Sequence, residues 1–213
     1  MVADTVRTWA EGWAVSRRCP APVEKPWGLY IEVVGSAREV GRHLLPEVDV
    51  SLVRAAALSV TEPRTWLKMP AEPERIEPWL PAGWAMVWES TGHLMVTDLA
   101  PSEQPPPAGY TAEVETRGDV IVMRARDAAG ERAAQGQIAL VGEAAIVDQV
   151  VTEEAHRRRG LGHFVMRTLA NQALERGAHL GVLGATDDGR ALYETLGWKK
   201  HATLAECAYR AQG

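Results

Sequence analysis

One short stretch constrains this chain more than any other. Arg157-Arg158-Arg159-Gly160-Leu161-Gly162 joins a strand-like run, Ala144 to Thr152, to a helix-like run that begins at Leu161. Glycines at 160 and 162 let the backbone approach a ligand with no Cβ in the way. A helix starting there aims its free N–H groups and the positive end of its dipole back at the loop. Three guanidiniums supply counter-charge. The combination predicts a site for a multiply charged phosphate ligand.

The rest of the composition narrows the ligand. The chain has 213 residues, enough for one large domain or two small ones, and carries a net charge of −5. That charge argues against general nucleic-acid binding, and three adjacent arginines are too few for a basic patch. No apolar run reaches membrane-spanning length, and the N-terminal stretch carries Asp4, Arg7, Glu11, Arg17 and Arg18, unlike a signal peptide. The expected location is the cytoplasm. The two cysteines, Cys19 and Cys207, form no C-x-x-C pair, and the six histidines show no metal spacing, so no metal site is predicted. Cys207 reads as a small core residue.

All 13 prolines lie between Pro20 and Pro107, and seven of eight tryptophans lie at or before Trp88. Pro101 to Pro107 reads as a stiff extended linker. This divides the chain into a Trp/Pro-rich region, 1–107, and a second domain, 108–213. In the second, strands are predicted at Tyr110–Glu115, Asp119–Arg126, Arg132–Val141 and Ala144–Thr152. A helix follows at Leu161–Arg176, then a strand at Leu180–Ala185, a short helix at Arg190–Leu196 capped by Asp187 or Asp188, and strand material at Trp198–Tyr209. In the first, the pattern predicts helices within the first 20 residues and at Ala37–Leu45 and Leu52–Ser59. It also predicts a strand at Leu29–Val34 and a hairpin of Trp84–Trp88 with His93–Thr97. The fold class is α/β with a mixed sheet.

The order strand, Arg-x-x-Gly-x-Gly, helix, strand, then Ala191-Leu192-Tyr193-Glu194-Thr195-Leu196-Gly197-Trp198, resembles the GCN5-related N-acetyltransferases over roughly Ala108 to Arg210. The resemblance implies acetyl-CoA as cofactor and a sheet whose two strands beside the loop splay apart. Gln149, Val150, Val151 and Thr152 would pair with the pantetheine arm. Arg157, Arg158, Arg159, Gly160, Leu161 and Gly162 would hold the pyrophosphate, with Thr186 and Arg190 adding cofactor contacts. The family's usual pair of early helices finds no room between Pro107 and Asp119. The N-terminal region, read as a degenerate half of similar fold, would then supply one wall of the acceptor pocket.

Acyl transfer to an amine moves two protons. An ammonium with a pKa of about 10.4 must lose one before it attacks, and the departing thiolate must regain one. Tyr193 matches the tyrosine that family members use as general acid; read structurally it is a core tyrosine on a short amphipathic helix. Asp148, an acid in an otherwise apolar strand, is the candidate base, with a strand-end ion pair as the plainer reading. By strand parity it shares a face with Ile146 and Val150. Glu143, Glu153 and Glu154 read as solvated, His156 as a loop residue near the cofactor, and His93 as a hairpin surface residue. Trp66, Trp79, Trp84 and Trp88 read either as core or as an aromatic wall for a small amine. The expected activity is acetyl-CoA-dependent N-acetylation of a small-molecule amine in a ternary complex, with no nucleic-acid or membrane partner and a homodimer left open. The alternative is a non-catalytic acyl-CoA-binding sensor.

Overall fold

The computed structural model describes residues 1–103 and 105–210. In chain order the elements are α1 (Val2–Arg17), β1 (Val23–Lys25), β2 (Gly28–Glu32), β3 (Gly41–Leu44), α2 (Val50–Ser59), β4 (Thr65–Pro70), α3 (Pro73–Ile76), β5 (Trp84–Met86) and β6 (Gly92–Asp98). They continue with β7 (Thr111–Arg117), β8 (Val120–Arg126), β9 (Arg132–Val141), β10 (Ala144–Thr152), α4 (Leu161–Glu175), β11 (Leu180–Ala185), α5 (Asp187–Thr195) and β12 (Lys199–Tyr209). Contacts divide the chain into two units: residues 1–95 with 184–190 and those from Lys200 on, and residues 96–183 with 191–199. The division falls after Met95, ahead of the proline-rich stretch, and the last strand goes with the first unit.

In the first unit, β1, β2 and β3 pair antiparallel in turn, and β3 runs parallel to β4 through the α2 crossover. β12 pairs antiparallel with both β4 and β5. Two expectations are corrected here. Ala37–Leu45 contains strand β3 and no helix: residues 41–44 are buried throughout, with Arg42 paired to Glu39 and His43 bonded to Trp27, so buried polar residues hide the strand from a hydrophobic pattern. Trp84–Trp88 does not form a hairpin with the His93 strand: β5 finds its partner in β12, with Met86 opposite Cys207.

One core of this unit gathers Leu45, Val53, Leu67, Met69, Ile76 and Cys207. Trp84 is buried in it and Trp79 packs against it, while Trp66 joins Val87 and Ala208 in a smaller cluster. The core reading therefore holds for these three; Trp88 is 47% exposed. Both cysteines are free, and burial pushes the Cys207 thiol up to about 12.

α1 buries Val6, Trp9 and Trp13 at helical spacing, and the tryptophans meet charged side chains. Lys68 Nζ lies 5.1 Å from the Trp9 ring, and the Arg42 guanidinium 3.7 Å from that of Trp13. Lys68 and Glu206 stand directly opposite each other on β4 and β12 and form a buried ion pair at 2.5 Å. Arg42 is paired with Glu39.

His43, on β3, is buried and accepts a hydrogen bond at Nδ1 from Trp27 Nε1 at 3.1 Å. Burial, then the nearby Lys25 charge, pulls its pKa down to about 4. The folded value lies below the unfolded one, so the neutral ring stabilises the fold above about pH 6.5, and that stabilisation is lost as pH falls through 4. The difference amounts to about 3 kcal/mol. Melting temperature should therefore drop more steeply between pH 6.5 and 4 in the wild type than in His43→Asn, which keeps an acceptor for Trp27. Parallel melting curves would refute this.

In the second unit β7, β8, β9 and β10 form an antiparallel meander, and β11 lies parallel to β10 after the α4 crossover. α4 buries Leu161, Phe164, Val165, Met166, Leu169 and Ala173. Its close approach to the sheet rests on Gly136: a Cβ there would come within 2.7 Å of Val165 Cγ1 and 3.1 Å of Leu169 Cδ1. Among the described residues no helix is long and apolar enough to cross a membrane.

Candidate active site

The loop before α4 is built to leave backbone donors unspent. Arg158 and Gly160 both take left-handed conformations, with φ of 62° and 78°. Gly160 occupies the N-cap of α4 and gives no side-chain cap, so the N–H groups of the first turn stay available to a ligand. A Cβ at Gly162 would come within 2.8 Å of Leu192 Cδ2, which explains the glycine by the close passage of α5. The His163 ring and the Thr195 hydroxyl, 3.0 Å apart, tie the same two helices together.

The three arginines are exposed. Arg157 Nε donates to the Thr152 carbonyl at 3.4 Å, and Arg159 Nη1 to the Tyr110 hydroxyl at 3.2 Å. Tyr110 in turn lies 2.9 Å from His156 Nδ1, and His156 Nε2 lies 3.8 Å from Asp127. His156 thus braces the loop from below. Glu153 is paired with Arg132 at 2.7 Å.

β10 changes character along its length. Its register with β11 runs from Ala144↔Leu180 to Val147↔Leu183, and its register with β9 shifts between Asp148 and Val151. Gln149 sits in this bulge with φ of 54°, unusual for a residue with a Cβ. The extra residue overturns the parity expected for Val150. Ala145 and Val147 face α4, and Val150, past the bulge, also lies on that side, its Cγ2 3.2 Å from where a Gly136 Cβ would stand. Asp148 precedes the bulge and lies on the opposite face from Val147.

Asp148 and Tyr193 come within each other's electrostatic reach. Tyr193 is 8% exposed, and its ring centroid lies 6.1 Å from that of Trp198. Burial, then the Asp148 charge, pushes the Tyr193 hydroxyl up to about 12. The phenol is protonated at every physiological pH, but it no longer matches a thiol near 8.5. Full proton donation to a thiolate would run uphill by about 5 kcal/mol, so hydrogen-bond donation is the easier task.

Thr186 is the N-cap of α5: its hydroxyl accepts from Gly189 N–H at 3.2 Å and its carbonyl from Arg190 N–H at 2.8 Å. The helix therefore starts at Asp187, three residues before the expected Arg190 start, and neither aspartate is the cap. Arg190 lies in the first turn.

One pair escaped the sequence reading. His93 is buried, not a surface residue, and its Nε2 lies 2.7 Å from Asp187 Oδ1. That bond holds the exposed Asp187 carboxyl below its ordinary range. His93 Nδ1 and Thr91 Oγ1 are buried with no hydrogen-bond partner. The alternation in Gly92-His93-Leu94 placed His93 on a strand, but its partner lies 94 residues away.

Known proteins share this fold. Residues 127–207 match the model of the FR47-like protein family. The whole chain superposes on a GCN5-related N-acetyltransferase from Kribbella flavida with a TM-score of 0.69 and 20% identity, covering 100% of this chain and 96% of that one. A putative acetyltransferase of the GNAT family from Novosphingobium aromaticivorans gives 0.63 at 15% identity, with 99% of each chain covered. A tandem GNAT protein from the clavulanic acid biosynthesis pathway gives 0.57 at 12% identity, covering 100% of this chain and 95% of that one.

Proposed function

The chain has the fold of the GCN5-related N-acetyltransferases, with an FR47-like segment at 127–207, and from that premise we propose that it transfers an acetyl group from acetyl-CoA to the amine of a small molecule. The observation that carries the reading is the bulged β10, the Arg/Gly loop and the uncapped start of α4 in succession. These residues fit the cofactor. The first-turn N–H groups and the guanidiniums of Arg157, Arg158 and Arg159 suit a pyrophosphate, and backbone groups of Gln149 to Thr152 suit a pantetheine amide. Bound there, the cofactor supplies an acyl group activated as a thioester.

Transfer forms a carbon–nitrogen bond and breaks a carbon–sulfur bond. The acceptor ammonium sheds a proton before attack, and the departing thiolate, held by a hydrogen bond, takes a proton from water as it leaves. Asp148 takes or relays the first proton. Tyr193 donates a hydrogen bond to the developing thiolate, and its high pKa keeps the donor proton in place.

The experiment is thiol release from acetyl-CoA across a panel of small amines, together with calorimetry of CoA binding. Arg157→Ala should weaken CoA binding by removing a counter-charge, and Gly162→Asp should weaken it about tenfold or more, because a side chain there must push Leu192 of α5 away from the start of α4. Unchanged affinity in both would remove the pyrophosphate assignment. A CoA-binding module without turnover is the competing reading, and the Tyr193 hydroxyl at about 12 is the observation on its side. Tight CoA binding with no thiol release on a broad panel would select it.

A further inference from the structure

The second unit holds a cavity of about 290 Å3 that the reading above leaves unused. Its floor is Ile138 of β9 with Ala145 and Val147 of β10, and its wall is the inner face of α4. Ala145, Ala170 and Ala173 are small residues of the lining, and larger side chains there would take up the space. The volume stands at the lower edge of the ligand-pocket range, about 300 Å3.

A strap of residues 97–102 also lines the cavity and is pinned at two points. Leu99 N–H donates to the His179 carbonyl at 2.8 Å. Ser102 N–H donates to Asn171 Oδ1 at 3.1 Å, and Asn171 Nδ2 donates back to the Ser102 carbonyl at 2.7 Å. Asp98 and Arg167 bring charge of both signs to the lining, so it favours neither a cation nor an anion. An uncharged hydrocarbon group fits best.

The cavity approaches the Tyr193 side of the chemistry, while Asp148 lies on the other face of the sheet. Val147, in its floor, is the last residue of β10 paired with β11, where the two strands part. Trp198, in its lining, carries the ring beside Tyr193, and Thr195 and Leu196 extend the lining along α5 from that tyrosine. We infer that this cavity receives the hydrocarbon chain of the acyl donor, so that the protein accepts thioesters longer than acetyl, in the range of short- to medium-chain acyl-CoA. The inference rests on the CoA assignment above and extends it to the donor's chain length. The bonds made and broken are those of acetyl transfer.

The test is calorimetry with CoA and its S-ethyl, S-butyl and S-hexyl thioethers, which bind without reacting. Wild-type affinity should rise by about three- to fourfold per buried methylene. Ala170→Leu, which fills the cavity from α4, should abolish that rise while leaving the affinity for CoA unchanged. Ala145→Val, filling it from β10 with a strand-favouring residue, should do the same, so the result does not depend on one variant folding. Affinity that is flat with chain length in a wild type that binds CoA would overturn the cavity inference alone. So would a rise that persists in folded forms of the filled variants. Failure of the wild type to bind CoA at all would overturn the site assignment and this inference with it.

Discussion

Tyr193→Phe is expected to lower kcat about a hundredfold or more while leaving CoA affinity within about twofold, the usual scale for losing a positioned proton or hydrogen-bond donor. The substitution removes one hydroxyl and keeps the ring that packs beside Trp198. The fold should therefore be undisturbed, and melting curves of the two proteins should coincide. The pH profile separates this role from that of a titrating acid. With its hydroxyl at about 12, Tyr193 stays protonated as pH rises through the working range. Activity should climb with pH as the acceptor amine loses its proton, with no fall attributable to Tyr193 below about pH 10. A falling limb near pH 8.5 that disappears in Tyr193→Phe would show a less perturbed, proton-donating tyrosine and overturn this assignment. Equal kcat in the two proteins would remove Tyr193 from the chemistry.

The largest stability effect is expected at Glu206→Ala, at about 3–5 kcal/mol. The glutamate is the buried partner of Lys68, and burial already pulls the Lys68 pKa down against the pull of Glu206. Removing the carboxylate leaves an ammonium among buried side chains, with the Trp9 face beside it and the Arg42 charge still acting against it. For a chain of this size the melting temperature should fall by about 10 °C or more. The double variant Lys68→Met/Glu206→Leu should recover most of the loss, since an apolar pair carries no desolvation cost. A single variant as stable as the wild type would show that water reaches Lys68 and that the pair is not buried in solution.

The second half of the chain was legible because its punctuation is local. Asp127 to Gly130 and Gly142-Glu143 are turns, alternation marks the strands between them, and α4 ends at Arg176-Gly177 as its glycine suggested. β9, β10 and β11 lie at their expected boundaries. The N-terminal region was harder because its pairings are distant. Nothing near Trp84 reveals that β5 will meet β12, and a buried strand such as β3 shows no alternation. At the site, the loop and the Tyr193 helix could be read from residue types. The bulge could not, since Gln149 bears no mark of its left-handed backbone, and one inserted residue was enough to move Val150 to the other face. The His93–Asp187 pair stayed hidden for the same reason as β5, its members meeting only in the folded chain.

The place of β12 in the first unit has a consequence for how the protein is made. β4 and β5 both take β12 as partner, and Ala205 and Cys207 belong to the same core as Leu67 and Met86. On the ribosome that core stays open while roughly a hundred residues, 96–199, are synthesised, an interval of about 5–20 s at ordinary elongation rates. During that interval an unpaired β4 edge is exposed to neighbouring nascent chains. Elongation speed and chaperone supply over this stretch, more than the stability of the finished fold, should then set the yield of active protein in a cell.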